Sequence, residues 1–271
     1  MFSSFVKKPQ QGFTLIELVM TIVIIGILGV GISGFVGRTT QGMIDIAERQ
    51  QLATIAWIIS EKTSRELRSA LPNSIRLNAG STCVEFIPAI AGTDYLSVPI
   101  LTAANNFEVV PFSNYAAADV NALTDRVAVY PNTITGLYNS TLPNPGVISG
   151  LITSQATGAT LNAQRLNLAS NHQFLSDSPL NRLYVVQNPV MYCFSGGFLY
   201  RYSGYGYFTT FPSGASLANQ VVIGSRINTG TFTYTAGLLT RSAIVTMNYG
   251  IISSTSEIQS IEQEVQIRNV P

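Results

Sequence analysis

Residues 13–36 read FTLIELVMTIVIIGILGVGISGFV, and from Leu18 to Val36 this stretch holds no charged side chain. Those 19 residues make a helix of roughly 28 Å at 1.5 Å per residue, close to the ~30 Å hydrocarbon thickness of a bilayer. Lys7 and Lys8 precede the run and Arg38 follows it, and the two lysines bias the N-terminal side toward the cytoplasm. A cleaved secretory signal is the competing reading. It lacks support, because no small-x-small site follows the run, and residues 39–70, TTQGMIDIAERQQLATIAWIISEKTSRELRSA, continue in helical style.

Glu17 breaks the apolar character that begins at Phe13. A carboxylate at the rim of a membrane segment is costly unless paired, which marks it as functional by default. The bland alternative places it at headgroup level, merely solvated. Gly26, Gly29, Gly31, Gly34 and Gly37 interrupt the run. They suit either close helix packing or local melting, since each weakens a helix by about 1 kcal/mol relative to alanine.

Lys7-Lys8-Pro9-Gln10-Gln11-Gly12 followed by Phe13-Thr14-Leu15-Ile16-Glu17 resembles the class III signal of type IV pilins and type II secretion pseudopilins. The resemblance implies cleavage between Gly12 and Phe13 by a membrane-embedded prepilin peptidase, and N-methylation of the Phe13 amine. It also implies that Glu17 neutralises the Phe13 amine of an adjacent subunit as a register lock in a filament. Further implied partners are other major and minor pilins, an inner-membrane assembly platform and a cytoplasmic ATPase. Many major pilins carry a helix-bending proline where this chain has Gly34. Four blocks of the head are similar to minor pilins of the mannose-sensitive haemagglutinin (MSHA) pilus: Ser64–Leu77, residues 81–90, residues 178–203 and residues 263–271.

The expected organisation is a leader at 1–12, a transmembrane or filament-core helix at 13–38, an amphipathic helix at 39–71 and a β-rich head at 72–271. The membrane contact is expected over 13–36. Leu52, Ile55, Ile59, Leu67 and Ala70 recur at helical spacing, Glu61/Arg65 and Lys62/Glu66 are i,i+4 pairs, and Pro72 ends the helix. Trp57 and Ile58 lie off that stripe and are expected to cover a second part of the head.

Beyond Pro72 the pattern predicts an α+β fold with an antiparallel sheet. Strands are expected at Ser74–Leu77, Thr82–Ile87, Arg126–Tyr130, Leu183–Val186, Val190–Phe194, Phe198–Tyr202, Ile244–Tyr249 and Ile258–Ile267. Ser195-Gly196-Gly197 reads as a hairpin turn. Residues 90–125 and 131–182 show weak periodicity and read as long loops. Cys83 and Cys193 are the chain's only cysteines. In an exported chain they form one disulfide or remain two buried thiols.

The chain has 271 residues, 46% hydrophobic and only 11% charged, which excludes disorder and fits a Ser/Thr/Asn-surfaced domain outside the cytoplasm. Residues 72–271 contain eight Arg, no Lys and nine Asp or Glu, so nucleic-acid binding by bulk charge is not expected. One histidine, His172, leaves no Cys/His zinc set, and the cluster of His172, Asp177 and Ser178 reads as chance rather than a triad. No enzyme, metal or cofactor is expected. Tyr200, Tyr202, Tyr205, Tyr207 and Phe208 form an aromatic ladder around Arg201; it suits a sheet face, or stacking on sugars or bases in an adhesive head.

Overall fold

A computed structural model describes residues 12–214, 217, 219–237 and 241–267. Most of the expected leader, with Lys7 and Lys8, and the last four residues of the 263–271 block lie outside these described residues. The fold is α+β: one long helix, α1 (Leu15–Arg68), followed by antiparallel sheets. The chain divides into two units between Gln51 and Leu52.

In the first unit α1 is uncharged and exposes large apolar side chains all round from Leu18 to Val36. In the second, Leu52, Ile59, Thr63, Ser64 and Leu67 form one buried face, with the spacing of an amphipathic helix. The helix ends at Arg68, three residues short of the expected Leu71. Ser69 and Ala70 tighten to N–H bonds three residues back, to Glu66 and Leu67, and Leu71 N–H donates to the Ile87 carbonyl at 2.8 Å. Leu71 is spent on strand-like contact instead of a further turn.

The strands are β1 (Arg76–Leu77), β2 (Cys83–Phe86), β3 (Ala89–Asp94), β4 (Ala104–Val109), β5 (Arg126–Val129), β6 (Ile148–Thr157) and β7 (Gln164–His172). They continue with β8 (Arg182–Val186), β9 (Val190–Ser195), β10 (Phe198–Tyr202), β11 (Gln220–Gly224), β12 (Ile227–Thr235), β13 (Ala243–Ile252) and β14 (Ile258–Ile267). Three sheets result: β1-β2-β9-β10-β11, β12-β13-β14 and β3-β8-β5-β6-β7-β4. The expected loops 90–125 and 131–182 are therefore corrected, for they contain most of β3 and all of β4, β6 and β7. Their signal is weak because one-sided burial asks little of them. In β7 only Leu166, Leu168 and His172 are buried, among Arg165, Asn167 and Ser170.

The six-stranded sheet is inserted between β2 and β9. β2 pairs with β9 and β3 with β8, so two long strands form one ladder that bends at Pro88 and Pro189. Neither proline has an N–H to lose, and Gln187 N–H bonds the Pro88 carbonyl at 3.1 Å to carry the ladder through. The inserted sheet curls until its ends meet. Tyr95 bridges Val109, and Leu96 N–H bonds the Glu108 carbonyl at 3.0 Å, around a core of Phe107, Ile152, Leu166, Phe174, Leu183 and Val185. Such curling hides edges that would otherwise pair with other chains.

A second core joins α1 to the two smaller sheets through Leu52, Ile59, Leu67, Phe86, Tyr192, Phe194, Phe232, Val245 and Tyr249. β9 is buried on both faces, since Met191 and Cys193 point the opposite way, toward Tyr202 and Tyr205. Gly196 and Gly197, at φ 57° and 84°, close the β9–β10 hairpin, the left-handed pair that a two-residue turn requires.

Cys83 and Cys193 are direct partners across β2 and β9 and form a disulfide, with Cα atoms 4.1 Å apart. The bond closes a segment that contains the whole inserted sheet. Cys83→Ser/Cys193→Ser is expected to lower stability by about 4 to 5 kcal/mol through regained unfolded-chain entropy. Chemical denaturation of the full chain in detergent checks this; an unchanged midpoint contradicts it.

Candidate functional site

The residues singled out at the N-terminus fall where the helix begins. Gly12 and Phe13 precede it, and Leu18 N–H donates to the Thr14 carbonyl at 3.2 Å as the first helical bond. Glu17 thus sits in the first turn, three residues after Thr14, where a carboxylate is favoured by the helix dipole. Phe13 is 80% exposed. From Leu15 to Val36 the large apolar side chains are all exposed around the helix, and the segment is long and apolar enough to cross a membrane, with none of that window covered by the chain itself.

Two features fit an apolar surrounding. Hydroxyls are consumed within the helix: Thr21 donates to the Leu18 carbonyl, Ser33 to Gly29 and Thr39 to Phe35, at 2.8, 2.6 and 2.9 Å. The glycines are not required by the chain's own packing, because a Cβ added at Gly26, Gly29, Gly31, Gly34 or Gly37 meets nothing within 4 Å. Any need for their smallness arises from a neighbour or from helix plasticity.

In the head, of the residues read as a chance triad, His172 is engaged apart from Asp177 and Ser178, which share Tyr95. His172 Nε2 lies 3.2 Å from the Gly146 carbonyl, Tyr95 donates its hydroxyl to Asp177, and Ser178 N–H donates to Tyr95 Oη at 2.7 Å. Among the described residues no cluster of three His, Cys, Asp or Glu suits a metal ion. The aromatic ladder is mostly core: Tyr202, Tyr205 and Tyr207 are buried, Tyr205 donates to Glu85 Oε1 at 2.9 Å and Tyr207 to the Gln187 carbonyl at 2.9 Å. Trp57 departs from expectation. It is 66% exposed and lines an open groove of about 490 Å³ with Ile58, Glu61, Arg201 and Val221, so it does not cover the head.

The carboxylates of the head work as anchors. Glu85, fully buried, receives Arg76 Nε at 2.5 Å and the Tyr205 hydroxyl; burial pushes its carboxyl up, against the pull of Arg76. Arg76 in turn donates to the carbonyls of Phe208 and Thr209, which ties residues 205–209 to the sheet. Buried Asp125 accepts from Tyr115, Asn121 N–H, Thr124 and Gln187. Glu108 is held at about 2 by the Thr160 hydroxyl, with Ala159 N–H and Arg165 assisting. Glu66 receives Arg201 Nε at 2.9 Å and holds α1 to β10.

Residues 7–33 match the prokaryotic N-terminal methylation motif. No curated protein and no solved structure matches the chain. The motif and the apolar helix support a type IV pilin-like or pseudopilin class with membrane anchoring and processing by a prepilin peptidase, and such a class is structural rather than enzymatic.

Two outcomes follow from this geometry. Gly31→Ala is expected to raise the helicity of the full chain in detergent, by circular dichroism, since it adds a better helix former without a clash; unchanged or lower helicity contradicts the open packing around it. Burial holds His172 neutral by lowering its pKa. Its contribution to stability is then present above the unfolded-state pKa of about 6.5 and lost as pH falls below it. His172→Gln is expected to lose less stability than wild type between pH 7 and pH 5, whatever its stability at pH 7, and parallel losses contradict this.

Proposed function

We propose that this chain is a minor pilin, made as a prepilin, cut between Gly12 and Phe13 and methylated at Phe13, which primes or joins an MSHA-like type IV pilus. The observation that carries this reading is the methylation motif at residues 7–33 on a helix whose large apolar side chains from Leu15 to Val36 are exposed all round. The finer assignment, to minor pilin O of that system, rests on the resemblance of the four head blocks. The large minor pseudopilin J of a type II secretion system has the same motif and bipartite plan, and is the second reading. An adhesive head loses ground because most of the aromatic ladder is committed to the core.

In this reading the helix holds the subunit in the inner membrane, N-terminus cytoplasmic and head periplasmic, until a platform driven by a cytoplasmic ATPase extracts it. Neighbouring pilins then replace lipid around residues 13–36. Glu17 supplies registry by accepting the Phe13 amine of the adjacent subunit. Inside a filament such a pair has little competing water, so removing one partner leaves an expensive unpaired charge.

Intact mass and N-terminal sequencing of the membrane form should show a methylated Phe13, and Gly12→Asp should remain uncut. Glu17→Val should be cleaved normally yet incorporated poorly into filaments. A mature terminus beyond Gly34 contradicts the prepilin reading, and normal incorporation of Glu17→Val contradicts the registry role. Copurification with pilus subunits, as against secretion subunits, separates the two systems.

A further inference from the structure

β14 is ten residues long, runs beside β13 through ten register pairs without a bulge and stands last in its sheet. Its other edge carries no described strand. By contrast β12, on the opposite side of the sheet, is tied down where Phe232 N–H bonds the Ser81 carbonyl at 2.7 Å and Ile227 N–H bonds Gly197 at 2.9 Å.

The direction of the backbone groups on β14 follows from its hairpin end. Ser253 N–H donates to the Glu257 carbonyl at 2.8 Å, while Ile252 N–H turns the other way, to the Arg226 carbonyl at 2.9 Å. Antiparallel ladders alternate bonded and non-bonded pairs. Ile258, Ser260, Glu262, Glu264 and Gln266 therefore point their N–H and C=O groups away from β13. Gln263 Nε2, donating to the Glu264 carbonyl at 2.9 Å, is a second sign of that outward direction.

The same five residues present exposed side chains on the outer face, whereas Val265 and Ile267 are buried beneath. Natural edges are usually shortened, bulged, covered or broken by proline. Among the described residues β14 shows none of these devices; it has two charges, Glu262 and Glu264. They decide the occupant. A second copy paired antiparallel through the outward-pointing residues about Gln263 sets Glu262 against Glu264, one paired about Glu262 sets that residue against itself, and an in-register parallel pairing stacks each glutamate on its counterpart, all unfavourable.

We propose that the free edge of β14 is a strand-addition site for an extended segment of another polypeptide carrying lysine or arginine at alternate positions. The main-chain groups supply the pairing and Glu262 with Glu264 supply the selection. This inference does not depend on the pilin reading.

The probe is a nonapeptide alternating lysine with threonine and valine, added to the full chain in a non-ionic detergent. Fluorescence anisotropy should register binding, and amide exchange should slow at Ser260, Glu262 and Glu264. Methylating the lysine backbone nitrogens, which keeps charge but removes the strand donors, should weaken binding about tenfold or more. The exposed double variant Glu262→Lys/Glu264→Lys should lose the basic peptide and bind its glutamate counterpart. Failure to bind, equal binding of the methylated peptide, unchanged exchange at those amides, or dimerisation through β14 without peptide would each overturn the proposal.

Discussion

The constraint on which the rest depends is an apolar helix surface that its own chain does not cover. From Leu15 to Val36 the large side chains face outward all round, so water is excluded only by lipid or by other polypeptides. The local chemistry is consistent with that surrounding: hydroxyls bonded back to the helix, glycines with open space beside them, and one carboxylate confined to the first turn. Anchoring and assembly are then two coverings of one surface. The head, beginning at Leu52, needs neither, because it has cores of its own.

Those cores explain the low charge of the chain. The head's buried and half-buried carboxylates are spent on fastening segments: Glu85 on residues 205–209, Asp125 on residues 115–124, Glu108 on the β6–β7 turn, and Glu66 on the join between α1 and β10. Buried polar groups are tolerable only when satisfied, and four acceptor contacts at Asp125 meet that demand. The disulfide acts at a larger scale. By joining β2 to β9 at the root of the ladder that leads into the inserted sheet, Cys83–Cys193 limits the unfolded freedom of everything between them.

How much of this was legible in the sequence varied with the strength of the local signal. The membrane-length helix, the β9–β10 hairpin and the strands at 126–129, 183–186 and 258–267 were readable because apolar runs, paired glycines and β-branched residues mark them directly. Four strands of the inserted sheet, β3, β4, β6 and β7, were not. β3, AIAGTD, has almost no apolar contrast, and β4, β6 and β7 bury only a few residues among polar neighbours. β11 and β12 also escaped; in β12 the alternation of Thr229, Thr231, Thr233 and Thr235 with Phe232 and Tyr234 is a period-two pattern that could have revealed it. At the N-terminus the motif singles out Gly12, Phe13 and Glu17 as candidates, and the structure adds their relation to the first helical turn. The exposure of Trp57 was out of reach, since its helical position gave no sign of the groove beside β11.

The central claim is that neighbouring pilin-like subunits come to cover the helix between Leu15 and Val36. The most direct measurement replaces Ile24 with a photo-crosslinking phenylalanine derivative in the full chain and irradiates cells with and without a functioning assembly system. The account predicts adducts to lipid in both, and adducts to a second polypeptide bearing the N-terminal methylation motif only where assembly proceeds. Adducts to lipid alone under both conditions, with the processed chain present in equal amounts, would contradict it.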